Sequence, residues 1–185
     1  MPSQPPWTLA ELNGLDQAEW TERLGFLHEG SPWIAAVAWE ARPFADLAAL
    51  DYALGAVVEL APRERHIALI AAHPDLVGQA ALAGTLTRES TGEQTTAGLD
   101  PGRLSPDEMA AFAALNAAYR ARFGFPFVIC ARENTKASIL AGFQTRLGHD
   151  RDREIATALG EIAKIRHHRL RDVIAESKSQ GQRTR

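Results

Sequence analysis

The sequence predicts an all-α fold: a single-domain bundle of seven to eight helices, with irregular loops around residues 73–104 and 124–133. Three observations carry this. Apolar residues recur at helical spacing along most of the 185-residue chain. The periodic stretches open on capping side chains and close at glycine or before proline. The extended run Phe125-Pro126-Phe127-Val128-Ile129-Cys130 holds a proline unsuited to a central strand, and no second alternating run exists to pair with it.

The elements follow in order. Asp16 caps a helix, with Glu19 three residues on completing a capping box, and Gly30 is expected to stop it. Ser31-Pro32 reads as N-cap and first-turn proline for a helix through Trp33, Val37 and Glu40, ending before Pro43. Asp46 opens the next, carrying Leu47, Leu50, Leu54 and Val57, and Pro62 opens a fourth through Ile67, Leu69 and Ile70 to His73. Ser105-Pro106-Asp107-Glu108 is a second capping box, whose helix places Met109, Phe112, Leu115, Tyr119 and Phe123 near one face and stops at Gly124. Further helices are expected from about Asn134 to Leu147 and from about Asp152 to Ala175. The domain is read as residues 1–176, followed by a flexible polar tail at 177–185.

Composition removes several classes of function. The apolar share is 45% and the charged share 23%, ordinary for a globular domain. A net charge of −3 argues against a nucleic-acid surface. No apolar run approaches the length of about 18 residues that a membrane helix needs. The N-terminus lacks the basic start and apolar stretch of a secretory signal. Cys130 stands alone, which excludes an internal disulfide and fits a reducing compartment. A cytoplasmic protein is expected.

Four constellations bear chemistry. Proline disfavours the helical region for the residue before it, so His73, ahead of Pro74, marks a helix end at the rim of a packed element. A boundary histidine facing water fits that pattern equally well. Ser90-Thr91-Gly92-Glu93-Gln94 reads structurally as a capping box, and functionally as a carboxylate and an amide beside a helix N-terminus. Phe123 to Ile129 reads either as an apolar connector or as extended backbone whose polar groups face a ligand.

In the last helix Ile155, Leu159, Ile162 and Val173 share a stripe with Arg166 and Arg169, while His167 and His168 point away. A buried arginine demands a partner, which an internal carboxylate or a carboxylated ligand would supply. No zinc, phosphate-loop or nucleophile-elbow motif is present. The pairs His66/His73 and His167/His168 lack companion ligands at familiar spacing, so no metal is expected, and Cys130 reads as an inert core thiol.

Taken together and in order, these residues resemble the OHCU decarboxylases, which act on 2-oxo-4-hydroxy-4-carboxy-5-ureidoimidazoline in the ureide pathway of uric acid breakdown. The resemblance spans roughly residues 8–175. It is carried by His73-Pro74-Asp75-Leu76, Ser90-x-x-Glu93-Gln94 with Ala97-Gly98-Leu99, Phe123-Gly124-Phe125-Pro126-Phe127-Val128, Thr135-Lys136, Arg146-Leu147, Glu161-Ile162-x-Lys164-Ile165 and Arg169-Leu170.

It implies an all-helical homodimer without metal or organic cofactor, producing (S)-allantoin. His73 would be the catalytic acid and Glu93 its carboxylate partner. Pro74, Ser90, Gln94 and Arg169 would bind substrate, with Phe125, Pro126, Phe127, Val128 and Ile129 offering backbone contacts. A carboxylate neighbour would favour the charged imidazolium, suited to donating a proton. Two features depart from the family pattern: Thr95-Thr96 after Gln94, and the basic Arg166-His167-His168. A relative acting on another small carboxylated heterocycle and a non-catalytic helical interaction module are the alternative readings.

Overall fold

The computed structural model describes residues 7–175; the tail expected at 177–185 lies outside them. Among the described residues ten α-helices follow one another: α1 (Leu9–Asn13), α2 (Gln17–Leu24), α3 (Trp33–Ala38), α4 (Leu47–Glu59), α5 (Arg63–Ala71), α6 (Gln79–Leu82), α7 (Arg88–Thr96), α8 (Pro106–Phe123), α9 (Lys136–Arg146) and α10 (Arg151–Val173). No strand forms among them; Trp7 and Ile174 make an isolated bridge that ties the two ends of the described chain together.

Local chemistry sets most boundaries. The side chains of Asp16, Asp46 and Asp150 each accept from the backbone N–H three residues on, at 2.8–2.9 Å. Ser105 and Glu108 form the reciprocal capping box of α8, and Gly124 ends that helix in the left-handed region at φ 81°.

Three expectations are corrected. Helix α2 ends at Gly25, where the chain tightens into a 3₁₀ turn over Gly25–Leu27; Gly30 (φ +57°) instead belongs to the bend beyond it. Helix α3 starts at Trp33 without a side-chain cap and tightens into a 3₁₀ turn at Trp39–Ala41. The segment 73–104, expected to be irregular, contains α6 and α7. Helix α7 carries no apolar residue from Arg88 to Thr96, so it shows no hydrophobic period. Its cap is Thr87, whose hydroxyl accepts from Ser90 N–H, so Ser90 lies inside the helix and is not its N-cap.

Helix α10 runs through the middle of the packing, against α4, α5 and the 25–27 turn, while α7 meets the 131–133 turn. Trp20, Leu24, Ile34, Leu50, Leu54, Ile70 and Phe112 are fully buried in the core. The stripe predicted for α10 faces inward: Ile155, Ile162, Arg166 and Arg169 are buried and His167 is exposed. Two arginines one turn apart inside a core require partners, and their partners define what each does.

Candidate active site

Extended backbone at 125–130 has no sheet neighbour, so side chains satisfy it. Arg146 of α9 donates to the Val128 carbonyl at 2.8 Å, and Glu161 of α10 accepts from Cys130 N–H at 2.8 Å. Arg146 also pairs with the fully buried Glu154 and lies over the Phe127 ring, 4.3 Å from its centroid. Tyr119 and His149 complete the bonding of Glu154. This network holds the strand-like segment in place.

The loop after His73 is held from two sides. Gln94 accepts from Val77 N–H at 3.0 Å, Asn116 donates to the Leu76 carbonyl at 2.8 Å, and Arg120 bonds both oxygens of Asp75 at 3.0 Å. Val77 adopts φ 51°, a conformation that a β-branched residue rarely takes. Backbone strain of this kind persists only where surroundings over-determine it. A Cβ on Gly78 would meet the Asp75 Cβ at 2.6 Å, so the turn also requires glycine there.

Helix α7 presents Ser90, Glu93 and Gln94 on one buried face, at the i, i+3, i+4 spacing. That face, the loop at 73–76, the segment 127–131 and Arg169 enclose a cavity of about 30 Å³. His73, Pro74, Ser90, Glu93 and Gln94 line it, as do Phe127, Val128, Ile129 and Arg169. Phe125 and Pro126 do not: Phe125 packs at 5.9 Å on Phe123 and at 6.3 Å on Tyr119, within the aromatic core.

Arg169 is the hub. Its Nε and Nη2 donate to the two oxygens of Glu93 at 2.8 and 2.9 Å, a bidentate pair, and Nη1 donates to the Phe26 carbonyl at 2.9 Å. A second carboxylate, Glu29, receives Nη1 and Nη2 on one oxygen at 3.3 and 3.2 Å, and Ser90 Oγ donates to that same oxygen at 3.0 Å. Burial works against the guanidinium's charge, but Glu93 and Glu29 outweigh it and raise the Arg169 pKa.

Glu29 belongs to none of the four constellations legible in the sequence. Its only signal is the unmet bonding demand of Arg169, which does not select one partner among the chain's 23 acidic residues. Arg166 resolves its own demand elsewhere, on Asp51 at 2.7 Å.

His73 is buried, and its Nδ1 lies 2.9 Å from the Leu69 carbonyl. A carbonyl only accepts, so Nδ1 carries the proton. Burial lowers the imidazole pKa to about 4, against the upward pull of the Leu69 bond and of Glu29. This corrects two expectations. Glu93 spends both oxygens on Arg169 and is not hydrogen-bonded to His73, and His73 is a neutral imidazole near pH 7, with an Nε2 lone pair.

His167 pairs with Asp51 and His168 with Glu133. Cys130, Glu133 and His168 bring donor atoms within 4.8 Å, yet Lys164 already stands 3.7 Å from Glu133. Burial, with Glu133 adding to it, pushes the Cys130 thiol up to about 11, as suits a core thiol.

An all-helical domain that gathers a buried histidine, two carboxylates and an arginine beside one small cavity defines a class: a small all-α acid–base enzyme. Comparison with known proteins narrows it. The family model described as OHCU decarboxylase matches residues 13–171. The 2-oxo-4-hydroxy-4-carboxy-5-ureidoimidazoline decarboxylase of Amia calva is 40% identical over 166 residues, 90% of this chain and 94% of that one. The enzyme of the same name from Mus musculus is 39% identical over 166 residues, 90% and 92% of the two chains. A crystal structure of (S)-allantoin synthase superposes with a TM-score of 0.70 at 28% identity, covering 92% of this chain and 54% of that one, so the chain spans about half of that solved protein. The chain belongs to the OHCU decarboxylase family.

Proposed function

We propose that this chain decarboxylates 2-oxo-4-hydroxy-4-carboxy-5-ureidoimidazoline to (S)-allantoin in uric acid breakdown, without metal or organic cofactor. The observation that carries the reading is the convergence of His73, Ser90, Glu93, Gln94 and Arg169 on one cavity from three separate segments. The substrate's carboxylate sits on a carbon that also bears a hydroxyl, next to a ring carbon double-bonded to nitrogen. When the C–C bond to the carboxylate breaks, carbon dioxide leaves and the electron pair flows into that C=N bond. The substrate is its own electron sink.

What remains for the protein is positioning and proton transfer. Arg169, fixed by Glu93, binds the carboxylate, with Ser90 beside it. His73 Nε2 takes the hydroxyl proton as that oxygen becomes a carbonyl. It returns the proton to the ring carbon bearing the ureido group, on one face only, and the ring nitrogen takes a proton from solvent. The neutral tautomer fixed by the Leu69 carbonyl suits this base-then-acid sequence.

The test follows circular dichroism as freshly generated substrate turns over. A fast (S)-allantoin signal is expected, with an acid limb of kcat/KM near pH 4, set by His73. His73→Asn should reduce the product to the racemate formed spontaneously; a normal rate from that variant would remove the role.

The same proposal includes a cytoplasmic homodimer. No helix among the described residues is long and apolar enough to cross a membrane. Support for the dimer comes from α4 and the end of α3, where Val37, Tyr52 and Leu60 are 49%, 79% and 86% exposed beside an apolar groove of about 930 Å³. A second copy of the chain would cover that face. Tyr52→Glu with Leu60→Glu should halve the mass measured by light scattering; an unchanged mass would place the interface elsewhere.

A further inference from the structure

We propose that Glu29 occupies the substrate-carboxylate subsite of the empty enzyme, and that the substrate's own carboxylate displaces it. This rests on reading Arg169 and Ser90 as substrate groups.

Three donors converge on one Glu29 oxygen: Arg169 Nη1 at 3.3 Å, Arg169 Nη2 at 3.2 Å and Ser90 Oγ at 3.0 Å. A ligand carboxylate oxygen would want the same arrangement. Every nitrogen of Arg169 is already engaged: Nε and Nη2 on Glu93, Nη1 on the Phe26 carbonyl, and the end of the fork on Glu29. An arriving carboxylate therefore finds no donor until one acceptor leaves.

The distances select which one. Glu93 bonds at 2.8 and 2.9 Å with two oxygens, whereas Glu29 bonds at 3.2 and 3.3 Å with one. Charge points the same way. Two carboxylates share one guanidinium beside a neutral His73, so a third anion is repelled unless one moves away.

Glu29 also has somewhere to go. It sits in the bend at 28–30, where Gly30 is exposed and in the left-handed region. The Thr87 hydroxyl, at the exposed cap of α7, is already 3.5 Å from the same Glu29 oxygen. Rotation toward Thr87 would free the end of the Arg169 fork and the Ser90 hydroxyl together. Glu93 would keep the guanidinium in register, so the ion pair that leaves and the ion pair that orients are different ones. Glu29 thus sets substrate affinity, and a competitor in the empty site lowers the apparent affinity by the fraction of open protein.

The experiment is calorimetric titration of the full chain with 2-imidazolidone-4-carboxylate, a stable cyclic urea bearing a carboxylate, and in parallel with uncharged (S)-allantoin. Glu29→Gln is expected to bind the carboxylate about tenfold more tightly while (S)-allantoin affinity changes less than twofold. KM in the decarboxylation assay should fall in step. Unchanged or weaker carboxylate binding would overturn the proposal and make Glu29 an anchor of Arg169. If Glu29→Gln fails to fold, Glu29→Asp keeps the charge but withdraws it by one methylene. It should shift the carboxylate affinity in the same direction by less, and no shift would again overturn the idea. If Glu29→Gln shows the carboxylate effect but the wild-type protein makes no (S)-allantoin, the decarboxylase reading falls and the subsite stands. An active enzyme without the effect would do the reverse.

Discussion

Arg146→Ala offers the sharpest test of how the 125–130 segment is held. Arg146 is buried and donates to Glu154, which has no exposure at all, and to the Val128 carbonyl. Removing one partner of a buried ion pair leaves the other uncompensated, which destabilises by roughly 3–5 kcal/mol. Losing the donor to a buried carbonyl adds about 1 kcal/mol. His149, 2.8 Å from the other Glu154 oxygen, retains part of the compensation. The net expectation is about 4 kcal/mol, a large share of a typical stability of about 5–15 kcal/mol. At roughly 2–4 °C per kcal/mol for a chain of this size, the melting point should fall by about 8–16 °C. Urea unfolding followed by far-UV circular dichroism measures it directly. Glu154→Gln in the Arg146→Ala background should recover part of the loss, because a neutral amide is less costly to bury than an unpaired carboxylate. A single-variant effect below about 1 kcal/mol would mean that Glu154 is compensated without Arg146, and the reasoning would fail.

Two further predictions concern the loop and the buried imidazoles. Gly78→Ala forces a Cβ to within 2.6 Å of the Asp75 Cβ, so the turn must shift and carry Pro74 and His73 with it. Activity should fall at least tenfold while the melting point moves by a few degrees; activity within twofold of wild type would show that the turn is compliant. Burial lowers the pKa of His28 to about 3 and that of His73 to about 4, with positive neighbours adding to the effect on His28. Both are depressed in the fold, so their contribution is complete above the unfolded value of about 6.5 and is lost as pH falls from there toward 4 and 3. The urea midpoint should therefore drop between pH 6.5 and 4, and His28→Leu should flatten that slope. An unchanged slope would assign the acid sensitivity to other groups.

The helices with an apolar face were legible because each carries its own period and cap, as in Asp46 with Leu50 and Leu54. Helix α7 was not, and for a physical reason: its inward face is Ser90, Glu93 and Gln94, so the face that packs is polar. Hydrophobic periodicity detects burial against a core and is silent about burial against a cavity. The Ser-x-x-Glu spacing is therefore real but lies inside the helix instead of capping it, since Thr87 holds the cap. Phe125 and Phe127 could not be told apart in the sequence. Two apart in extended backbone, they share a face and both pack on Tyr119, and only Phe127 also reaches the cavity.

Arg166 and Arg169 show what a buried charge reports. They lie one turn apart on the same stripe of α10 and are both buried, so phase and burial do not separate them. Arg166 meets Asp51, bonded at 2.7 Å, and lines the groove along α4. Arg169 meets two carboxylates, a hydroxyl and a carbonyl, which is more than a single internal ion pair requires. A purely structural guanidinium is best served by one well-aligned carboxylate, because each extra buried anion adds its own desolvation penalty. The surplus acceptor around Arg169, borne on the longer bonds to Glu29, is intelligible if the guanidinium must exchange partners while staying oriented. Under the proposed mechanism Glu93 fixes the fork, Glu29 keeps its open end occupied, and His73 waits as a neutral imidazole for the substrate hydroxyl.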